Sequence, residues 1–182
     1  MSHFAQAFME VVLVEGGYSN HPYDSGKETM YGITEAVARA HGYQGLMRDL
    51  PLHQAEAIYR RAYWDLLRLD EIALVALPIA LELFDTGVNC GTGVAAEFLQ
   101  RSLNALNRQQ ADYPDVKVDG DLGSKTLDAF KAYVYRRGIK GERVLMRALN
   151  CLQGARYIEL AERREKDEHF VSGWMLNRIT IA

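Results

Sequence analysis

Residues 15–34 read EGGYSNHPYDSGKETMYGIT, and the way this stretch breaks the chain decides how the rest is assembled. The run before it, FAQAFMEVVLVE (4–15), sets Phe4, Phe8, Val11 and Val12 at helical spacing, so a helix is expected to end at Glu15. Gly16 and Gly17 stop it, one of them in the position past a helix end where a left-handed backbone is needed. The residues after the glycines are too rich in Gly, Pro, Asn and Ser for helix and read as a short irregular β-hairpin, with helical pattern resuming near Thr34. A carboxyl at that junction would be rigidly held, backed by apolar side chains and open to a cleft. The negative end of the helix macrodipole lies there, and with a partly apolar pocket it moves a carboxyl pKa upward, the direction a general acid near neutrality requires. A bare Glu-Gly-Gly is also how an ordinary surface helix end looks.

The remaining pattern is helical. Glu35–His41 reads as a short helix stopped by Gly42. Leu52–Trp64 carries Ala55, Ile58, Tyr59 and Ala62 on one face. Asp70 and Glu71 open another helical region, and Pro78 falls in the first turn of ALPIALELFDTGVNCG (76–91), where proline is tolerated. That helix is apolar on more than one face and is expected to be central. Thr92–Leu106 is helical again. The polar connection NRQQADYPDVKVDGDLG (107–123) comes next, with Asp121 expected to cap a helix over Leu122–Tyr135. Gly138 and Gly141 mark a turn, and 142–168 reads as one long helix. The fold class expected is therefore all-α, with the hairpin as its β element and a domain boundary near Gly91.

At 182 residues the chain can bury a sizeable core, and 48% apolar with 25% charged residues is ordinary for a globular protein. A net charge of −3 excludes a basic nucleic-acid binder. Residues 1–90 hold 6 Lys/Arg against 12 Asp/Glu, whereas 91–182 hold 15 against 12. The acidic half suits catalytic carboxylates, and the basic half suits an anionic polymer. No apolar run reaches the roughly 20 residues that span a bilayer, so no stable membrane insertion is expected. The N-terminus has neither basic start nor cleavage site of a signal peptide, which predicts synthesis in the cytoplasm. Two distant cysteines, Cys90 and Cys151, and five scattered histidines predict reduced thiols, no metal site and no cofactor.

Glu-Gly-Gly-Tyr at 15–18, Asp24, Thr29 and Tyr-Gly-Ile-Thr at 31–34 together resemble the signature of the glycoside hydrolase family 108 muramidases. The match continues through Tyr63-Trp64-Asp65, Phe84-Asp85 with Val88-Asn89, Val118-Asp119-Gly120 through Gly123 to Thr126, and Trp174 in SGWMLNR, so it spans nearly the whole chain. Lys27 departs from it, standing where the family has the second glycine of Asp-x-Gly-Gly. The segment 118–130, VDGDLGSKTLDAF, is also similar to the Asp-Gly-x-x-Gly-x-x-Thr signature of helical peptidoglycan-binding modules.

The resemblance implies a two-lobed lysozyme-like fold. Residues 1–90 would form the catalytic lobe and 91–182 a peptidoglycan-binding lobe, the latter adding recognition of peptide stems. It implies hydrolysis of the bond between N-acetylmuramic acid and N-acetylglucosamine, with Glu15 protonating the leaving oxygen. Asp24 would stay ionised and either orient water or shield the oxocarbenium-like cation, and Thr29 would face the sugar beside it. Tyr18 and Tyr31 serve as packing or as a sugar platform. Trp64 and Trp174 serve in core or interlobe packing or in stacking on substrate. Asn89 is a buried hydrogen-bonder or a contact to an N-acetyl group, and Asp119 and Gly120 form a tight turn or part of a wall-binding site. The implied setting is a monomer acting on bacterial peptidoglycan after release by a holin or a secretion system, as an endolysin or as a muramidase that lets proteins or toxins cross the wall. The alternatives are a lytic transglycosylase, which needs Glu15 but not Asp24, and a non-catalytic wall-binding or secretion protein.

Overall fold

The computed structural model describes residues 2–20 and 28–179, with the backbone alone at 12–15. Two compact units divide between Asp65 and Leu66.

In the first unit α1 spans His3–Glu15 and ends where the periodicity predicts, with Gly16 at φ +78° just beyond it. Strands β1 (Ser19–Asn20), β2 (Glu28–Met30) and β3 (Ile33–Thr34) form an antiparallel sheet in that order, with Ser19 opposite Thr29, Thr29 opposite Thr34 and Met30 opposite Ile33. Thr34 caps α2 (Glu35–Ala40), its hydroxyl accepting from the Val37 N–H at 3.3 Å. Helix α3 (Leu52–Tyr59) runs directly into a π-helical turn at Arg60–Trp64, closed by the Asp65 N–H on the Arg60 carbonyl. The 52–64 segment is thus one element, as expected, but its last turn is wider than an α-helix. π-turns of this kind are rare and cluster at functional sites.

Aromatic rings join α1 to α3. Phe4 meets Trp64 edge-on at 5.5 Å, and Phe8 meets Tyr59 edge-on at 5.5 Å. All four side chains are buried. Truncating any one to alanine removes an aromatic payload worth about 3–5 kcal/mol.

In the second unit α4 (Leu69–Ala73) leads to α5 (Leu77–Cys90), with Pro78 in its first turn and Ile79, Ala80, Leu83 and Phe84 fully buried. This is the central helix that its two-sided apolar pattern predicts. Helix α6 (Thr92–Ala105) begins almost at once. The connection after it is held by α6 itself, through three amide side chains at i, i+4 and i+7. Gln100 binds the 119–121 backbone, Asn104 pairs with both polar groups of Val116, and Asn107 bonds the backbone at 112–113. Buried backbone polar groups need such partners, which is why a polar loop packs here without secondary structure.

Helix α7 (Ser124–Arg163) departs from expectation. It starts two residues later than predicted, after Gly123, and Asp121 does not cap it, because Asp121 is held in the Gln100 turn. Gly138 does break the helix, at φ 55° and ψ −154°, but Gly141 lies buried inside the continuing helix, its carbonyl accepting the Tyr133 hydroxyl at 2.9 Å. The helix ends at Arg163, not Glu168. A 3-10 turn (Glu165–Asp167) and α8 (Glu168–Arg178) complete the unit. None of the described helices is long and apolar enough to cross a membrane.

One buried acid in α5 stands out. Glu82 is pushed up to about 8, first by burial and then by the neighbouring Asp85 carboxylate, against an opposing hydrogen bond from Asn150. A carboxyl that titrates near 4.5 unfolded and near 8 folded retains a proton that the unfolded chain releases, so stability falls as pH rises from 4.5 to 8 and then levels off. Glu82→Gln, the isostere of the neutral acid, is expected to be more stable at pH 7 by on the order of 2 kcal/mol. Urea midpoints at pH 5 and pH 8 should show a loss in wild type that the variant lacks, and parallel profiles would contradict this account of Glu82.

Candidate active site at the end of the first helix

The local sequence places Glu15 as the last residue of α1, with the left-handed Gly16 turning the chain at once toward β1. Asp24 and Lys27 lie outside the described residues, as does the side chain of Glu15. Thr29 sits half-buried in the middle of β2, paired on one side with Ser19 and on the other with Thr34. Tyr18, between the glycines and β1, is 44% exposed and offers an aromatic face to solvent.

The turn joining β2 to β3 consists of Tyr31 and Gly32, at φ 53° and 74°. Positive φ at both central residues is what a two-residue type I′ hairpin requires, and glycine or asparagine normally supplies it. A bulky tyrosine in that region carries a strain of roughly 1–2 kcal/mol. The surrounding structure holds it there: the Tyr59 hydroxyl donates to the Tyr31 carbonyl at 2.8 Å, from a ring only 1% exposed. Since that ring also packs on Phe8, one side chain joins the helix ending at Glu15 to the hairpin. Sequence reasoning placed Tyr59 on an apolar helix face and missed this role. A tyrosine at a core position carries a hydroxyl that needs a buried partner, and that was the available signal.

The other expected site residues fall elsewhere. Trp64 is fully buried against Phe4, so its ring presents no face for a sugar and acts as core. In the second unit Trp174, half-buried, lies between Tyr157 at 5.3 Å and Phe170 at 6.0 Å and packs α8 onto α7. Asn89 is half-buried in the last turn of α5, where its side-chain oxygen meets the Cys90 thiol at 3.8 Å. Asp119 and Gly120 are used architecturally. The Gln100 amide donates to the Asp119 carboxylate at 2.9 Å and accepts the N–H groups of Asp119 and Gly120 at 3.0 and 3.1 Å. The same contact, ahead of the Asp121 N–H, holds the Asp119 carboxyl below its ordinary value. Gly120 has φ +74°, and a Cβ there would stand 3.2 Å from the Gly93 carbonyl oxygen, so both backbone and space favour glycine. Among the described residues no group of three or more His, Cys, Asp or Glu is placed to hold a metal ion.

Strain at Tyr31 yields a test with two readouts. Tyr31→Gly is expected to raise unfolding stability by about 1 kcal/mol, because glycine takes positive φ at no steric cost. If the ring also serves as a sugar platform, the same variant hydrolyses glycan more slowly. A loss of stability would contradict the strain, and unchanged hydrolysis would leave Tyr31 a packing residue alone.

Comparison with known proteins agrees with these elements. Residues 8–91 match the family Glycosyl hydrolase 108. Residues 94–179 match the Predicted Peptidoglycan domain. The fold is similar to that of a solved structure of Brucella abortus SagA, 23% identical, with a TM-score of 0.65 over 98% of this chain and 97% of that one. No curated protein matches the chain. The α-dominated fold is thus similar to that of the solved structure over nearly all of both chains. With a Glycosyl hydrolase 108 domain over residues 8–91 and a peptidoglycan domain over 94–179, the chain is a glycoside hydrolase of peptidoglycan, of the muramidase kind.

Proposed function

We propose that Glu15 is the general acid of this muramidase and Asp24 its ionised partner, with Thr29 beside them facing the sugar. The observation that carries this reading is the junction itself: α1 ends on Glu15, Gly16 reverses the backbone, and the sheet sets Thr29 between two flanking strands. Hydrolysis of the N-acetylmuramic acid–N-acetylglucosamine bond needs a proton on the leaving oxygen as positive charge builds at the anomeric carbon. Glu15 donates that proton. The Asp24 carboxylate, in a polar glycine-rich segment, orients water or shields the cation. Two carboxyls in unlike surroundings divide acid and base roles in this way. Exposed Tyr18 and strained Tyr31 offer the sugar its aromatic faces.

Residues 1–90 act as the catalytic domain and 91–182 hold the wall, with the basic balance of the second half favouring an anionic polymer. The enzyme works as a monomer on wall peptidoglycan after synthesis in the cytoplasm. A holin or a secretion system releases it, and its role is that of an endolysin or of a muramidase that opens the wall to proteins or toxins.

Digestion of purified peptidoglycan by wild type and by Glu15→Gln, with the fragments identified by mass spectrometry, tests the chemistry. Reducing muramic acid ends from wild type, lowered at least about a hundredfold in the variant, are expected from the loss of a general acid. Anhydro ends would make the protein a lytic transglycosylase, and equal release by both would remove Glu15 from the mechanism.

A further inference from the structure

The second unit carries a groove of about 520 Å³ whose two walls repeat one spacing. On α6 the wall is Val94, Glu97, Phe98 and Arg101, at i, i+3, i+4 and i+7. On the C-terminal half of α7 it is Leu152, Ala155, Arg156 and Glu159, with the same intervals. That spacing puts each set on one helix face. Apolar and charged side chains alternate along the α6 wall, whereas the α7 wall is apolar at Leu152 and Ala155 and charged at Arg156 and Glu159. Seven residues of helix rise roughly 10 Å, the reach of about three extended peptide residues.

The charges in the groove are unequally engaged. Arg156 Nη1 donates to Glu159 at 2.9 Å, and Arg163 binds the other oxygen of the same carboxylate. Glu159 is therefore satisfied. Arg156 keeps a buried Nε–H that meets no acceptor among the described residues. Arg101 and Glu97, both exposed, make no ion pair or hydrogen bond among the described residues. The groove thus presents two guanidinium groups with unused donors, one unused carboxylate, and apolar surface between them.

We propose that this α6–α7 groove binds the stem peptide of peptidoglycan, with Arg101 and Arg156 taking its carboxylates, Glu97 taking the ammonium of its diamino acid, and Phe98, Leu152 and Ala155 receiving its alanine methyls. The assignment rests on the peptidoglycan-binding role of residues 94–179 and gives it a location. Stem peptides carry methyl groups, carboxylates and one amine over a tripeptide length, and the groove walls offer apolar surface, guanidinium groups and a carboxylate to receive them. Arginine meets a carboxylate through paired donors, so each such contact adds direction as well as charge. The groove adjoins the Asp119–Gly120 turn at Glu97, whose Oε1 would stand 3.6 Å from a Cβ at Gly120, but the polar groups of that turn are already taken by Gln100.

The test uses the full chain carrying Glu15→Gln, so that sacculi persist during the assay. Titration of the isotopically labelled protein with the tripeptide L-Ala-γ-D-Glu-meso-diaminopimelate should shift amide resonances of 94–101 and 152–159. In cosedimentation, intact sacculi should bring the protein down, and sacculi stripped of stems by an amidase should bring down much less. Arg101→Glu and Glu97→Lys, both on exposed side chains, should each weaken cosedimentation on the order of tenfold without changing the circular dichroism spectrum. Equal sedimentation with stripped glycan, or resonance shifts confined to other residues, would overturn the groove while leaving peptidoglycan binding intact. No sedimentation with either wall preparation would overturn the peptidoglycan-binding role itself, and the groove with it.

Discussion

The first unit depends on one hydrogen bond, from the Tyr59 hydroxyl to the Tyr31 carbonyl. Two-stranded turns with a bulky residue at positive φ do not persist unaided. Here the strain is offset by a donor fixed in the core. The ring bearing it packs against Phe8 of α1, seven residues before Glu15. Helix end and hairpin are therefore referenced to the same side chain. The π-turn at Arg60–Trp64 begins on the very next residue, and Trp64 closes that cluster against Phe4. The acid proposed at Glu15 and the strand proposed to face the sugar would need sub-ångström constancy to cooperate, and a rigid aromatic core is what supplies it.

The second unit is built on a different economy. Its peptidoglycan-type motif, 118–126, owes its geometry to Gln100, which is buried on α6 and answers the backbone of the motif with both ends of its amide. Asn104 and Asn107 extend the same service down the helix face. The glycine and aspartate of the motif are the residues this turn needs, so their spacing reports architecture first. Polar groups with spare capacity lie on the α6–α7 walls instead, at Arg101, Arg156 and Glu97.

Much of this was legible in the chain. The α1 helix, its stop at Glu15–Gly16, the hairpin, the Pro78 start of α5 and the break at Gly138 all come from periodicity and from the backbone habits of two residue types. The features that were not legible depended on partners distant in sequence. Asp121 is a good helix cap by local rules, yet Gln100, twenty-one positions away, holds it in a turn. Gly141 looks like a breaker, but the Tyr133 hydroxyl satisfies its carbonyl inside a continuing helix. Trp64 and Trp174 were open between packing and stacking on sugar because composition cannot tell a buried ring from a presented one. Tyr31 was visible as an aromatic, but its left-handed backbone was not, since only the fold reveals what holds it there.

The most direct test of the role given to Tyr59 is the turnover of peptidoglycan by Tyr59→Phe, measured at a temperature where both proteins remain fully folded. The substitution keeps the ring on Phe8 and removes only the hydroxyl. If the hydroxyl sets the hairpin relative to the helix end, kcat falls on the order of tenfold while stability drops by about 1 kcal/mol. An unchanged kcat with the same small loss of stability would mean that the hairpin finds its place without Tyr59, and the central claim would be wrong.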